Sequence, residues 1–230
     1  MLDQTRNNFN LKVDNLSFKY HQKNYLFKQI NLEISSNDKI MIYGKSGSGK
    51  TTFFKLLNYI IPYEQGSILY NNVPIKDLAP TQYRSQVLYL SSNSFLFPTT
   101  VENNLKFPFT LNEYKKQNLS YNPDIIKQYL YHLNLDESFL KVSISSLSSG
   151  ERQILSFLRT IQLDPSIYLL DEPLSSIDID TKIKLENILL DKIEETHSSF
   201  IMISHDKEQA KRLKTKNLIL SNQTLINYNL

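Results

Sequence analysis

Apolar residues recur at every second or third position along Leu11, Val13, Leu16, Phe18 and Tyr20, and again along Ile30, Leu32 and Ile34, which predicts half-buried β-structure at the start of the chain. The pattern then changes. Lys39-Ile40-Met41-Ile42-Tyr43 is a short, nearly continuous apolar run, as a strand covered on both faces requires. From Thr52 to Ile61 the residues Phe53, Phe54, Leu56, Leu57, Ile60 and Ile61 fall at helical spacing, and Pro62 is expected to stop that helix. Gly66 to Tyr70 and Val73-Pro74-Ile75 flank Asn71-Asn72, which predicts a hairpin that Gly66 starts and whose turn asparagines accept positive φ. From about Phe95 to Ser146 Pro, Asn, Lys and Tyr are frequent and the helical patches are local, the clearest at Ile125, Ile126, Tyr129, Leu130 and Leu133. Apolar strands return at Ile167 to Leu170 and Phe200 to Ile203, followed by a β-pair around Leu218 to Ile226. The alternation implies an α/β fold with a mostly parallel sheet and an inserted helical subdomain.

The scarce glycines locate the candidate chemistry. Three of the five lie in Gly44-Lys45-Ser46-Gly47-Ser48-Gly49-Lys50-Thr51, which fits the phosphate-binding pattern G-x-x-x-x-G-K-[ST]. Backbone NH groups can wrap a phosphate chain only where no side chain intervenes, and here the loop joins an apolar strand to a helix N-terminus whose dipole favours an anion. In this pattern Lys50 reaches the phosphates and Thr51 supplies a hydroxyl for a magnesium ion; Thr52 continues the first turn. Further on, the strand Ile167 to Leu170 runs into Asp171-Glu172-Pro173. Adjacent carboxylates beyond a buried strand are costly unless a cation or a reacting proton uses them. Asp171 is therefore a candidate metal ligand alongside Thr51, and Glu172 a candidate for directing water.

Composition removes several classes. The net charge of +3 is small and the 26 basic residues are interspersed with 23 acidic ones, so nucleic acid is not an expected partner. Without cysteine there are no disulfides and no thiolate metal sites, which is compatible with the cytoplasm. The polar start Met1 to Arg6 lacks the apolar core of a signal peptide, and no apolar stretch nears the length of a membrane span, so the chain by itself is expected to be soluble.

Leu147-Ser148-Ser149-Gly150-Glu151-Arg152-Gln153 extends the reading. Ser148 with Glu151 forms a capping box ahead of an amphipathic helix carrying Ile154, Leu155, Phe157, Leu158 and Ile161, so its free NH groups offer a second anion site. With the P-loop upstream and the acidic strand end downstream, the chain resembles the nucleotide-binding domain of ABC transporters over nearly its whole length. The resemblance implies a P-loop NTPase, RecA-like core over residues 1–91 and 156–230, an antiparallel β-subdomain, and a helical subdomain over about 92–155. It further implies an ATPase that binds ATP with Mg²⁺ in a head-to-tail dimer with a second ATP-binding subunit, driving a separate polytopic membrane permease from the cytoplasmic side of the membrane. Ser148, Ser149, Gly150 and Glu151 would complete the site of the partner subunit, and Asp178, in Ser175-Ser176-Ile177-Asp178, resembles the D-loop. His205 resembles the switch histidine at the γ-phosphate. Tyr20 resembles the aromatic residue under adenine, although Phe18 and Tyr25 are alternatives.

Two positions depart from the family pattern. Ser92 stands where a metal-ligating glutamine is usual, and Ser149 replaces the second signature glycine. The cluster Phe95, Leu96, Phe97, Leu105, Phe107 and Phe109 either packs the helical subdomain or receives a short helix of the permease. The segment from Thr100 to Phe109, the signature helix and His205-Asp206-Lys207-Glu208 are similar to the small bacterial iron-export ATPases, which implies export of a metal or small solute. A P-loop kinase would have no use for the Leu147 to Glu151 motif, and a soluble ATPase of this superfamily acting on DNA or ribosomes would carry two cassettes or a long coiled coil.

Overall fold

Alternating residues build the first sheet. The computed structural model describes residues 9–20, 24–93 and 95–229; the polar start at Met1 to Arg6 lies outside them. β1 (Asn10–Phe18) and β2 (Phe27–Ser35) pair antiparallel, and β1 also pairs with β4 (Gln65–Tyr70), which continues into β5 (Val73–Pro74), giving the order β2-β1-β4-β5. Leu11, Val13, Leu16, Ile30, Leu32, Ile34 and Ile68 face the core while their neighbours are solvated. Asn71 and Asn72 both take positive φ in the β4–β5 turn, as a two-residue hairpin loop demands. Ile75 leaves the strand for a short 3₁₀ turn.

The second sheet has six strands in the order β10-β9-β3-β8-β7-β6, from β3 (Lys39–Tyr43), β6 (Val87–Leu90), β7 (Ile167–Asp171), β8 (Ser199–Ile203), β9 (Lys216–Ser221) and β10 (Thr224–Asn227). β9, β3, β8 and β7 run parallel, and β10 returns antiparallel to β9. Ile40, Ile42, Ile167, Leu169, Ile201 and Ile203 belong to the core shared with the first sheet, and Met41, Tyr168, Leu170, Phe200 and Met202, on the opposite face, are equally buried. Burial on both faces is why these strands read as continuous apolar runs. The sheet is therefore mostly parallel and the fold is α/β.

The helices are α1 (Lys50–Leu57), α2 (Pro80–Gln86), α3 (Val101–Lys106), α4 (Asn112–Lys116), α5 (Pro123–His132), α6 (Ser149–Ile161), α7 (Ile179–Thr196) and α8 (Lys207–Leu213). α1 ends before Pro62, contrary to the periodicity. Tyr59 takes φ 55, its NH donates to Leu56 O at 3.0 Å, and Ile60 NH donates to Lys55 O at 2.8 Å. This left-handed cap closes the helix at Asn58, so Ile60 is exposed although it sits at helical spacing.

The chain divides into two compact units, one of Met1–Tyr89, Pro165–Asp171 and Ile193–Leu230, the other of Leu90–Asp164 and Glu172–Lys192. Within the second, α3 packs on α6, and buried Asn104 binds the Phe97 backbone on both sides, accepting from Phe97 N at 2.9 Å and donating to Phe97 O at 3.0 Å. Leu105 of the aromatic cluster is fully buried, whereas Phe95 is 69% exposed.

Candidate functional site

Three parallel strands end at one edge of the large sheet. Ile42 of β3 and Asp171 of β7 are both in register with Ile203 of β8. The loop from Gly44, the residue after Asp171 and the segment reaching His205 therefore leave adjacent strands at their C-terminal ends, where open α/β sheets bind ligands.

The loop is built for close approach. Gly49 caps α1 at φ 101, and a Cβ there would meet Phe27 Cε1 at 2.7 Å, so both backbone and space require glycine. The Lys50 ammonium curls back over the loop, donating to Gly44 O at 2.8 Å and Lys45 O at 3.1 Å, and the side chain is only 7% exposed. Ser48 donates its backbone NH to Lys45 O at 3.1 Å, while its Oγ is buried and meets no hydrogen-bond partner among the described residues. Buried hydroxyls are rarely left so, and a ligand oxygen would satisfy this one. No acidic residue occupies the first turn of α1, which leaves its positive end open to an anion.

Next to the loop, Thr51 Oγ1 donates to Asp171 Oδ2 at 2.8 Å across 120 positions of sequence. Tyr89 OH donates to the same oxygen at 3.0 Å. Asp171 is 2% exposed and Thr51 is exposed, so the hydroxyl meets the carboxylate where a buried strand end opens to solvent. Two hard oxygen donors are what a magnesium ion takes from protein when phosphate and water complete its shell. Tyr89 was not legible as a site residue, because an aromatic in an apolar strand looks like core; only its pairing position beside β7 reveals the contact. Tyr20 shares a hydrogen bond with Thr52 Oγ1 in the first turn of α1 at 3.2 Å and is 41% exposed, with its ring edge-on to buried Phe18. Of its alternatives, Phe18 is buried, and Tyr25 donates to Gln65 Oε1 at 3.2 Å beneath Lys19 and Lys28. His205 is exposed, two residues past β8, and Asp206 after it caps α8 by accepting from Gln209 N.

The second unit holds Ser92, Ser148 to Glu151, Glu172 and Asp178. Ser148 begins α6 with the full capping box: Glu151 N donates to Ser148 Oγ at 3.2 Å and Ser148 N donates to Glu151 Oε2 at 2.8 Å. Such a cap stabilises a helix start by about 1 kcal/mol. The bonds from Ser148 hold the Glu151 carboxyl below the usual carboxylate range. Asp178 accepts from Thr181 N at 2.9 Å ahead of α7, and those bonds lower its pKa as well. Ser92 sits exposed in the turn after β6, and with Ser149, Arg152, Gln153 and Ser176 it lines a cavity of about 230 Å³.

Glu172 takes φ 49 immediately before Pro173. A non-glycine residue there costs on the order of 1–3 kcal/mol and persists only where neighbours hold it. Gln153 does so: its Nε2 donates to Glu172 O at 3.0 Å and to Ser175 Oγ at 3.1 Å, and Ser176 N donates to its Oε1 at 2.7 Å.

Known proteins resemble this chain along most of its length. The family model described as "ABC transporter" matches residues 27–175. The probable iron export ATP-binding protein FetA of Escherichia coli (strain K12) is 30% identical over 184 residues, 80% of this chain and 80% of the relative. The ergothioneine transport ATP-binding protein EgtV of Helicobacter pylori (strain G27) is 30% identical over 207 residues, 90% of this chain and 94% of the relative. A bacterial Atm1-family ABC exporter solved with ATP bound superposes with a TM-score of 0.82 at 20% identity, covering 97% of this chain. The chain spans 39% of that exporter, and the likeness shows the fold.

Proposed function

The chain belongs to the ABC transporter family as an ATP-binding protein, and from that premise we infer how its residues carry out ATP hydrolysis coupled to transport. Lys50 and the NH groups of Gly44, Lys45, Ser46, Gly47, Ser48 and Gly49 hold the β- and γ-phosphates, and Ser48 Oγ gains the partner it lacks. Thr51 and Asp171 hold Mg²⁺, which supplies charge neutralisation on the phosphate oxygens when bound. The observation that carries this reading is the Thr51 to Asp171 contact at 2.8 Å, which joins the loop to the acidic strand end. Glu172 directs the attacking water, His205 senses the γ-phosphate, and Tyr20 stacks on adenine beside Thr52.

Proteins of this family dimerise and work with membrane subunits. For this chain we propose that Ser148, Ser149, Gly150 and Glu151 cover the nucleotide of the facing subunit in a head-to-tail dimer, with Asp178 at the seam. Ser92 stands in place of the metal-ligating glutamine with a shorter arm, and Ser92→Gln is expected to change the ATPase rate more than nucleotide affinity; equal kinetics in both proteins would contradict this. Exposed Phe95, edge-on to Phe97 at 5.1 Å, anchors a helix of a polytopic permease. The chain then acts at the cytoplasmic face of the membrane; among the described residues no helix is long and apolar enough to cross one. The iron-export relative supports export of a metal or small solute.

Glu172→Gln tests the reading. It is expected to abolish phosphate release while trapping an ATP-bound dimer on size-exclusion chromatography; turnover at the parent rate would remove Glu172 from its role.

A further inference from the structure

We propose that Gln153 is a positioning residue that ties the first turn of α6 to the Glu172–Ser176 turn and so holds the Glu172 carboxylate in its working direction; this rests on the role given to Glu172 above. Glu172 stands at φ 49, and a return to negative φ would swing its Cα–Cβ bond away. Pro173 has no NH to donate, and the closing bond from Ser175 N to Glu172 O is long at 3.4 Å. Gln153 supplies the shorter bond to that carbonyl at 3.0 Å, which fixes the peptide plane following Glu172. The same amide accepts from Ser176 N at 2.7 Å and donates to Ser175 Oγ at 3.1 Å, gripping the turn at three points.

The chemistry selects an amide. Glutamine offers a donor and an acceptor at one end of the side chain, whereas glutamate has no donor and methionine lacks a strong donor or acceptor. Helix and turn are also in close approach at Gly150, on the same face of α6 as Gln153, where a Cβ would stand 3.2 Å from Ser176 O. A movement of the signature helix is thereby passed, through Gln153, to the turn that carries the water-directing carboxylate.

The test uses the full chain with Gln153→Ala, Gln153→Met, which keeps the length without polarity, and Gln153→Glu, which keeps only the acceptor. Steady-state hydrolysis with Mg²⁺ and ATP is measured beside amide hydrogen exchange over residues 172–178. All three variants are expected to lose about 10- to 100-fold in kcat with KM within about two-fold of the parent, as for a misdirected catalytic group. Exchange at Ser176 should quicken in the Ala and Met variants and stay slow in the Glu variant. Quickened exchange in Gln153→Met with kcat at the parent level, while Glu172→Gln is inactive, would overturn the proposal alone. Parent-level turnover in Glu172→Gln would overturn the role of Glu172 itself.

Discussion

Thr51→Val isolates the contact on which the site depends. Valine nearly matches threonine in volume and helix propensity, so the change opens no cavity and leaves α1 intact. What disappears is the hydroxyl that donates to Asp171 Oδ2 at 2.8 Å. Asp171 is only 2% exposed, but Thr51 is exposed, so water replaces part of the lost donor, and Tyr89 keeps its hold on the same oxygen. A hydrogen bond to a charged group contributes about 1.5–3 kcal/mol, and with water replacing part of it about 1–2 kcal/mol is at stake in the nucleotide-free chain. For a chain of this size each kcal/mol shifts Tm by roughly 2–4 °C, so a fall of about 2–8 °C is expected by scanning calorimetry. A second signal follows from the metal role. Titration of a fluorescent ATP analogue should show affinity rising with Mg²⁺ in the parent and in Thr51→Ser, and failing to rise in Thr51→Val. A Thr51→Val chain whose Tm stays within about 1 °C of the parent, and whose affinity still responds to Mg²⁺, would refute both the contact and its use.

Gly66→Ala should destabilise the first sheet: φ is 87, and an added Cβ would lie 2.6 Å from Asn15 O. Backbone strain alone is about 1–3 kcal/mol, read from urea denaturation, and an unchanged midpoint would contradict it. Asn104→Ala removes the bonds that hold the Phe97 backbone and should destabilise the second unit by roughly 1–3 kcal/mol, seen as faster amide exchange over residues 95–105. The Tyr43 hydroxyl is pushed up to about 12 by burial and then by the charges of Asp206 and Tyr228. Since the folded pKa lies above the unfolded value of 10.0, its stabilising effect is complete below that pH and is lost as pH rises toward the folded pKa. Tyr43→Phe should flatten part of that alkaline decline while leaving neutral stability unharmed, because the buried hydroxyl has no partner among the described residues.

Much of this molecule was legible from residue order because its signals are local. Strand, glycine loop and helix are contiguous from Lys39 to Leu57, the capping box spans only Ser148 to Glu151, and the buried parallel strands are short apolar runs. Local rules failed where a cap competed with periodicity. Ile60 fits the helix by spacing, yet the left-handed turn at Tyr59 ends α1 first, since two backbone bonds outweigh one more exposed turn. Gly66, expected merely to begin a hairpin, lies inside β4 where the backbone of β1 bulges against it.

The residue types of the phosphate loop, the acidic strand end and the signature helix were set out in the sequence alone, because each is a short motif whose chemistry lives in neighbouring positions. Only tertiary structure decided that Thr51 meets Asp171, that Tyr89 joins them, and that Gln153 grips the turn after Glu172. Those contacts span 19 to 120 positions and depend on strand register and on helix packing, which residue order specifies only through the whole fold.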